Sequence, residues 1–198
     1  MAYHIYQTEA FVINERVVGE ANKIFYLLTP DLGLIVAVAQ GVRLLKSKLR
    51  YQIRRYELVH VSLVRGKEVW RLVGAEKSLE LDGTLKDQAK FESLAKIFTL
   101  LSHFIQGEGE QAEIFNDLKA GINYLAGESS PELRRGFELA MALRLLNSLG
   151  YVKNSAETLP ILNFKVWSAE ELKKALDLEG AISLAVEAAT HASHLNSY

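Results

Sequence analysis

The sequence predicts an α+β protein of two domains, a small antiparallel β-barrel followed by an all-α helical domain. Short apolar runs separated by turn residues fill residues 1–80, whereas apolar residues recur at helical spacing from residue 82 onward. The charge balance changes at the same place: residues 1–80 contain 12 Lys and Arg against 8 Asp and Glu, and the remainder contains 11 against 16. We therefore expect one domain over 1–80 and a second over 81–198.

Five β-strands are predicted in the first domain, over 3–14, 23–29, 34–39, 57–64 and 68–73. Each is a short run rich in apolar and β-branched residues, bounded by turn residues. An irregular segment follows the third strand, and no helical pattern separates the strands. This order favours a closed antiparallel barrel over a parallel βαβ sheet, and a five-stranded OB-type barrel is the specific prediction.

Five helices are predicted in the second domain. Capping signals mark three helix starts: Thr84 with Asp87, Ser130 with Pro131, and Ser168 with Glu171. Three helices end close to a glycine: Gly107, Gly127 and Gly150. The last two helices are expected over 169–178 and from just after Gly180 to about His194, while 153–167 shows no period and is predicted to be irregular.

Composition excludes several function classes. The chain has no cysteine, which rules out disulfides, thiolate metal sites and cysteine nucleophiles. No stretch reaches 18 consecutive apolar residues, and the first residues lack the build of a signal peptide. We expect a soluble cytoplasmic protein without a membrane partner.

The leading candidate site is the segment after the third strand, residues 41–55, here called the basic loop. It carries six positive charges with no acidic residue before Glu57: Arg43, Lys46, Lys48, Arg50, Arg54 and Arg55. Arginines can contact phosphates in a bidentate manner, and lysines act as mobile point charges. The loop therefore predicts binding to a polyanion such as a nucleic-acid backbone. The alternative is an ordinary solvated cationic loop.

Aromatic side chains near the loop are candidates for base stacking. The candidates are Tyr26, Tyr51, Tyr56 and Trp70. Because Tyr26 and Trp70 lie within strand patterns, we expect both in the barrel core. Tyr51 lies in the polar loop and is the better stacking candidate.

No catalytic or cofactor site is predicted. The segment from Gly41 to Ser47 lacks the second glycine of a phosphate loop, and no βα unit surrounds it. Residues 107–109, Gly-Glu-Gly, are interpreted as a connector between helices. Glu187, His191 and His194 have metal-ligand spacing, but ordinary polar residues on a terminal helix explain them. We expect a protein that is not an enzyme and needs no cofactor.

Several segments of the first half are similar to the RecO family of bacterial recombination mediators. They are Thr8-Glu9 before Phe11-Val12-Ile13, Gly19-Glu20-Ala21-Asn22, Leu28-Thr29, Asp31-Leu32-Gly33-Leu34-Ile35, Ala39-Gln40-Gly41-Val42-Arg43 and Lys46-Ser47-Lys48-Leu49-Arg50. The resemblance in sequence covers roughly residues 1–80. Beyond them, only the architecture is similar, namely a helical domain that follows the barrel. It implies an OB fold followed by a helical domain, and it implies DNA as a ligand.

The resemblance also bears on the second half. The family's docking of the tail of the single-stranded-DNA-binding protein implies a site for an acidic peptide, for which the third helix offers Arg134, Arg135 and Arg144. The alternative is ordinary solvation of a helix surface. Many family members carry a four-cysteine zinc site, which this chain lacks, and residues 150–167 offer apolar and aromatic side chains instead. Packing is expected to replace the metal.

Taken together, the residues and the resemblance predict a recombination mediator in DNA repair. It is expected to bind single- and double-stranded DNA through the basic loop, to promote ATP-independent strand annealing and recombinase loading, and to meet other mediator proteins. A stand-alone OB-fold module serving RNA or transcription is the alternative. A protein-interaction adaptor with an incidental basic loop is a third reading.

Overall fold

The computed structural model describes residues 4–78, 86–128 and 130–192. Its contacts divide the chain into two compact units. The first comprises Met1–Leu81 with Gln106–Phe115, and the second comprises Asp82–Ile105 with Asn116–Tyr198. The barrel unit thus includes a short segment that follows the first helix in sequence.

Five strands form the barrel unit: β1 Ile5–Val18, β2 Asn22–Thr29, β3 Gly33–Ala39, β4 Leu58–Arg65 and β5 Trp70–Lys77. They close in the order β1-β2-β3-β5-β4. All neighbouring strands are antiparallel except β3 and β5, which pair in parallel where Ala37 and Val38 meet Trp70 and Arg71. The predicted five-stranded OB-type barrel is confirmed, with closure through this short parallel pair.

Alternating side chains of the strands fill the barrel interior. On β3, Ile35, Ala37 and Ala39 are buried, while the residues between them are half-buried on the outer face. Trp70 is 3% exposed and belongs to this core, as expected. Tyr26 differs from its prediction, because it lies between the buried Phe25 and Leu27 and is itself only half-buried. The two-residue period of a strand places it on the outer face.

Six helices lie in the described ranges: α1 Gln88–Phe104, α2 Ala112–Gly127, α3 Pro131–Ser148, α4 Leu159–Asn163, α5 Ala169–Asp177 and α6 Glu179–Ala192. The side chains of Ser130 and Ser168 cap α3 and α5 as predicted. Asp87 caps α1, and Thr84 lies outside the described residues. The short helix α4 occupies part of the segment predicted to be irregular, because a five-residue helix is too short to show a period.

Helix α3 is the centre of the helical unit. Its buried face includes Phe137, Met141 and Leu146. At Gly136 an added Cβ would lie 2.5 Å from the backbone oxygen of Leu172 on α5, so only glycine permits this approach. No helix in the described part of the chain has the length and apolar character needed to cross a bilayer.

Residues 107–109, predicted as a connector between helices, pair with the barrel. Leu34 N–H donates to the Gly107 oxygen at 3.2 Å, and Gly109 N–H donates to the Leu32 oxygen at 3.1 Å. Gly33 has a φ of 67°, and an added Cβ there would lie 2.3 Å from the Gly109 oxygen. The connector is therefore also a structural part of the barrel unit, which no local pattern of glycines reveals.

The carboxylate of Glu108 adds two side-chain hydrogen bonds between this segment and the strands. It accepts one from Arg65 Nη1 and one, at 3.1 Å, from Trp70 Nε1. The hydrogen bond from Arg65 is the largest cause that holds the pKa of Glu108 below its ordinary value of 4.5; burial opposes it, and the hydrogen bond from Trp70 adds a smaller lowering effect. A carboxyl group whose pKa is lower in the folded state stabilises that state above its unfolded pKa. This stabilisation is lost as the pH falls through the folded pKa.

Glu108→Gln is therefore expected to loosen the segment at pH 7, and this difference from the wild type is expected to shrink as the pH falls through the folded pKa of Glu108, because the wild-type carboxyl then becomes neutral as well. The measurement is the amide-exchange protection factor of residues 106–111 in both proteins at pH 7 and at successively lower pH values. A difference that persists at low pH would contradict an electrostatic role for Glu108.

Candidate nucleic-acid interface

The first half of the basic loop is fastened to the turn between β1 and β2. Gly41 follows β3, has a φ of 64° and donates its N–H to Asn22 Oδ1 at 2.9 Å. The Arg43 N–H then donates to the Ala21 oxygen at 3.0 Å. The guanidinium of Arg43 donates to the oxygens of Gly19 and Glu20 at 3.1 and 2.9 Å. These bonds hold the start of the loop in one position.

The second half of the loop is fastened to β1. After a 3-10 turn at Lys48–Tyr51, the buried side chain of Ile53 joins the barrel core. The Tyr56 N–H donates to the Val12 oxygen at 2.7 Å, and the Val12 N–H donates to the Glu57 oxygen at 2.9 Å. Tyr56 has a φ of 71°, an uncommon conformation for a residue other than glycine that persists only where the surroundings enforce it. The loop is thus held at both ends.

All six cationic side chains of the basic loop are exposed. Within the described parts of the chain, none of them forms an ion pair with a carboxylate. Arg43, Arg50, Arg54 and Arg55 line one open groove of about 630 Å³, whereas Lys46 and Lys48 lie outside its lining. Lys23, Glu15 and Glu20 also line this groove, so five cations face two carboxylates there. A fixed loop with this excess of cations creates a positive potential that attracts anions.

Tyr51 lies in the same groove and is 60% exposed. The guanidinium of Arg50 lies 5.7 Å from its ring centroid. Tyr56 is buried at 7% exposure, with the Arg55 guanidinium 4.5 Å from its ring centroid. Tyr51 is therefore accessible to a flat ligand, whereas Tyr56 serves to anchor the loop.

The sequence predicts Arg43 as a phosphate-binding group and gives no sign of its contacts with the β1–β2 turn. Those contacts depend on how two distant segments approach, and no local signal records them. The carbonyl oxygens of Gly19 and Glu20 already accept hydrogen bonds from Nη1 of Arg43. Arg43 therefore positions the loop in addition to contributing its charge.

In the helical unit, Arg135 lies at the edge of an apolar groove. Its guanidinium donates to Glu179 at 2.6 and 2.8 Å and to Glu138 at 3.4 Å. The hydrogen bond to Glu179 is the main cause that raises the pKa of Arg135. The groove has a volume of about 280 Å³ and is lined mainly by apolar residues of α1, α3 and α6: Ile97, Leu100, Leu139, Ala142, Ile182 and Val186. Arg134, also on α3, is half-buried.

Arg144 has different surroundings from Arg135. Its Nε and Nη2 donate to the two carboxylate oxygens of Asp117 at 2.7 and 2.9 Å. Its Nη1 donates to the oxygens of residues 161, 162 and 164 at 3.1, 2.9 and 3.2 Å. The side chain is only 15% exposed, and its guanidinium lies over the rings of Phe164 and Trp167. The structure therefore assigns Arg144 to holding residues 161–167 in place and separates it from the other two arginines.

The residues present do not fit the zinc site implied by the resemblance. The chain has no cysteine, and the described residues contain no cluster of three His, Asp or Glu side chains able to hold a metal ion. Residues 161–167 are instead fastened by Arg144 and by Trp167, whose Nε1 donates to Asp117 Oδ1 at 3.2 Å. Of the histidines considered as ligands, His191 is exposed, and His194 lies outside the described residues.

Comparisons with known proteins place this barrel in context. A family model described as "Recombination protein O N terminal" matches residues 1–78. A protein of Dehalococcoides mccartyi (strain CBDB1), named DNA repair protein RecO, is 33% identical over 150 residues, which cover 75% of this chain and 57% of that protein. A protein of the same name from Thermoanaerobacter sp. (strain X514) is 27% identical over 151 residues, 74% of this chain and 58% of that protein.

The alignments with these relatives are about twice as long as the family-model match and therefore continue beyond the barrel. The similarity in sequence thus reaches further than the roughly 80 residues that carry the resemblance. The chain spans little more than half the length of the curated relatives it matches.

Proposed function

The chain belongs to the RecO family, and from that premise we propose that it is a DNA-binding recombination mediator in recombinational DNA repair. The observation that carries the proposal is the basic loop, which presents six exposed cations without carboxylate partners in the described structure. A polyanion supplies the negative charge that these side chains lack.

The proposed contacts are with the DNA backbone. Arg50, Arg54 and Arg55 line the groove with Tyr51, while Lys46 and Lys48 extend the positive surface beyond it. Phosphate contacts position a nucleic acid without reading its sequence, so binding to both single- and double-stranded DNA is expected. Stacking of a base on Tyr51 adds affinity for single strands.

Strand annealing follows from these contacts without a chemical fuel. Two complementary strands repel each other, and bound cations reduce this repulsion while raising the local concentration of strands. Base pairing then supplies the driving force. The proposed activity is therefore independent of ATP, in line with the lack of a phosphate-loop motif in the sequence.

The proposed partners are the tail of the single-stranded-DNA-binding protein, other mediator proteins and the recombinase. The apolar groove beside Arg135 suits a peptide that combines apolar side chains with a terminal carboxylate. Such a peptide would compete with Glu179 for the guanidinium of Arg135, which is 46% exposed. Arg144 is already occupied by Asp117 and is not included in this site.

Annealing assays with the full chain test this proposal. Bare complementary strands are expected to anneal in the absence of ATP, and a variant with Lys46, Lys48 and Arg50 changed to Glu is expected to lose this activity. With strands coated by single-stranded-DNA-binding protein, Arg135→Glu is expected to impair annealing as well, while leaving the reaction of bare strands unchanged. Binding without annealing, or a requirement for ATP, would overturn the mediator function.

A further inference from the structure

Two exposed leucines interrupt the cations of the basic loop. Leu44 and Leu45 lie between Arg43 and Lys46, and their side chains are 45% and 86% exposed. The neighbouring Val42 is buried in the barrel core at 3% exposure. The loop therefore buries one aliphatic side chain at its start and presents another almost entirely to solvent.

The backbone fixes this outward position. The Leu44 N–H donates to the Gly41 oxygen at 3.1 Å, and the Ser47 N–H donates to the Leu44 oxygen at 3.0 Å, so residues 41–47 form two successive turns. Arg43 fastens these turns to the carbonyl oxygens of residues 19 and 20. Since an exposed leucine forgoes the free energy of burial, Leu45 adds nothing to folding in this position.

The surroundings of Leu45 indicate what it contacts. The exposed Leu45 side chain lies in a loop of cations. A ligand that complements both has negative charges close to apolar faces, and a single-stranded nucleic acid has this combination. Leucine is one of the apolar residues with which DNA-binding proteins contact and separate stacked bases. The exposed ring of Tyr51 in the same loop supplies a second surface for a base. An anionic bilayer has similar chemistry, but one protruding leucine gives little apolar area for insertion.

We propose that Leu45 is a wedge that contacts unstacked nucleobases when the basic loop holds the phosphates. This inference rests on the proposed function, because it requires DNA at the loop. It assigns the loop two kinds of contact, cations with the backbone and Leu45 with the bases. Strands whose bases are held apart in this way are available for pairing with a complement.

The test compares two single strands of equal length and charge, one with thymine bases and one abasic. Affinities of the full-length protein are measured by fluorescence anisotropy over a range of salt concentrations. Leu45→Ser is expected to weaken binding of the thymine strand about tenfold, the order of magnitude expected when the partial burial of one leucine side chain is lost. Binding of the abasic strand and the salt dependence are expected to stay unchanged, since both report phosphate contacts.

Two variants control for the substitution itself. Leu45→Phe retains a large apolar side chain and is expected to keep the preference for the thymine strand. Leu184→Ser makes the same change at a leucine that is 68% exposed on α6 and is expected to alter nothing.

Each remaining outcome overturns the wedge in a distinguishable way. Equal loss on both strands would assign Leu45 to the fold of the loop, and an unchanged preference in Leu45→Ser would leave DNA binding intact without a wedge. Loss of binding to phosphatidylserine vesicles in Leu45→Ser, with DNA affinity unchanged, would identify a lipid contact instead. If the wild-type protein bound neither strand, the proposed function itself would fail.

Discussion

Reversing four charges of the basic loop is expected to abolish DNA binding at physiological salt. The variant changes Lys46, Lys48, Arg50 and Arg54 to Glu, all of which are exposed. If each contacts one phosphate, the slope of log K against log salt for the wild type is about −3 to −4, and the variant is expected to bind at least about a hundredfold more weakly. The measurement is a salt titration of binding to single- and double-stranded DNA.

Arg43 is left unchanged in this variant because it fastens the loop to residues 19 and 20. A matched control makes the same change in net charge at four exposed lysines outside the loop: Lys67, Lys153, Lys165 and Lys173. This control is expected to retain most of its affinity, because none of these lysines belongs to the proposed phosphate contacts and physiological salt screens the longer-range attraction between exposed charges. Similar losses in both variants would show that net charge, and not the loop, governs binding.

Replacing Arg144 by Leu is expected to lower the free energy of unfolding of the helical unit by about 3 kcal/mol. The substitution leaves the Asp117 carboxylate, which is 21% exposed, without its ionic partner. It also removes the donor to three backbone oxygens between residues 161 and 164. Urea unfolding followed through Trp167, which packs beside the Arg144 guanidinium, measures the change.

Two comparisons separate this contact from an ordinary ion pair. Arg135→Ala breaks ion pairs whose arginine is 46% exposed and is expected to cost no more than about 1 kcal/mol. Changing both Arg144 and Asp117 to Leu is expected to recover part of the lost stability, since no charge is then left buried without a partner. A chelator is expected to leave the melting temperature of the wild type unchanged.

The assignment of Arg144 to holding residues 161–167 would be contradicted by two results together. These are a lower melting temperature of the wild type in the presence of a chelator, and an Arg144→Leu variant as stable as the wild type.

Local patterns in the sequence account for much of the fold. The strands and most of the helices follow from apolar residues at periods of two and 3.6, and Ser130 and Ser168 cap the helices that they predicted. The position of the basic loop follows in the same way, because a glycine after an apolar run ends a strand and a run of cations stays in solvent. These features depend on residues that are neighbours along the chain.

Only the tertiary structure determines which contacts are made by side chains that are chemically alike. Arg43 and Arg144 look like their neighbours in sequence, yet both are committed to backbone oxygens elsewhere in the chain. Likewise, Val42 is buried and Leu45 is exposed, although both are aliphatic residues of one loop. The attachment of Gln106–Phe115 to the barrel depends on the close approach of Gly33 and Gly109. In each case the contacts and burial of the side chain depend on segments that are distant in sequence and close in space. The periodicity of a short stretch carries no information about such long-range contacts.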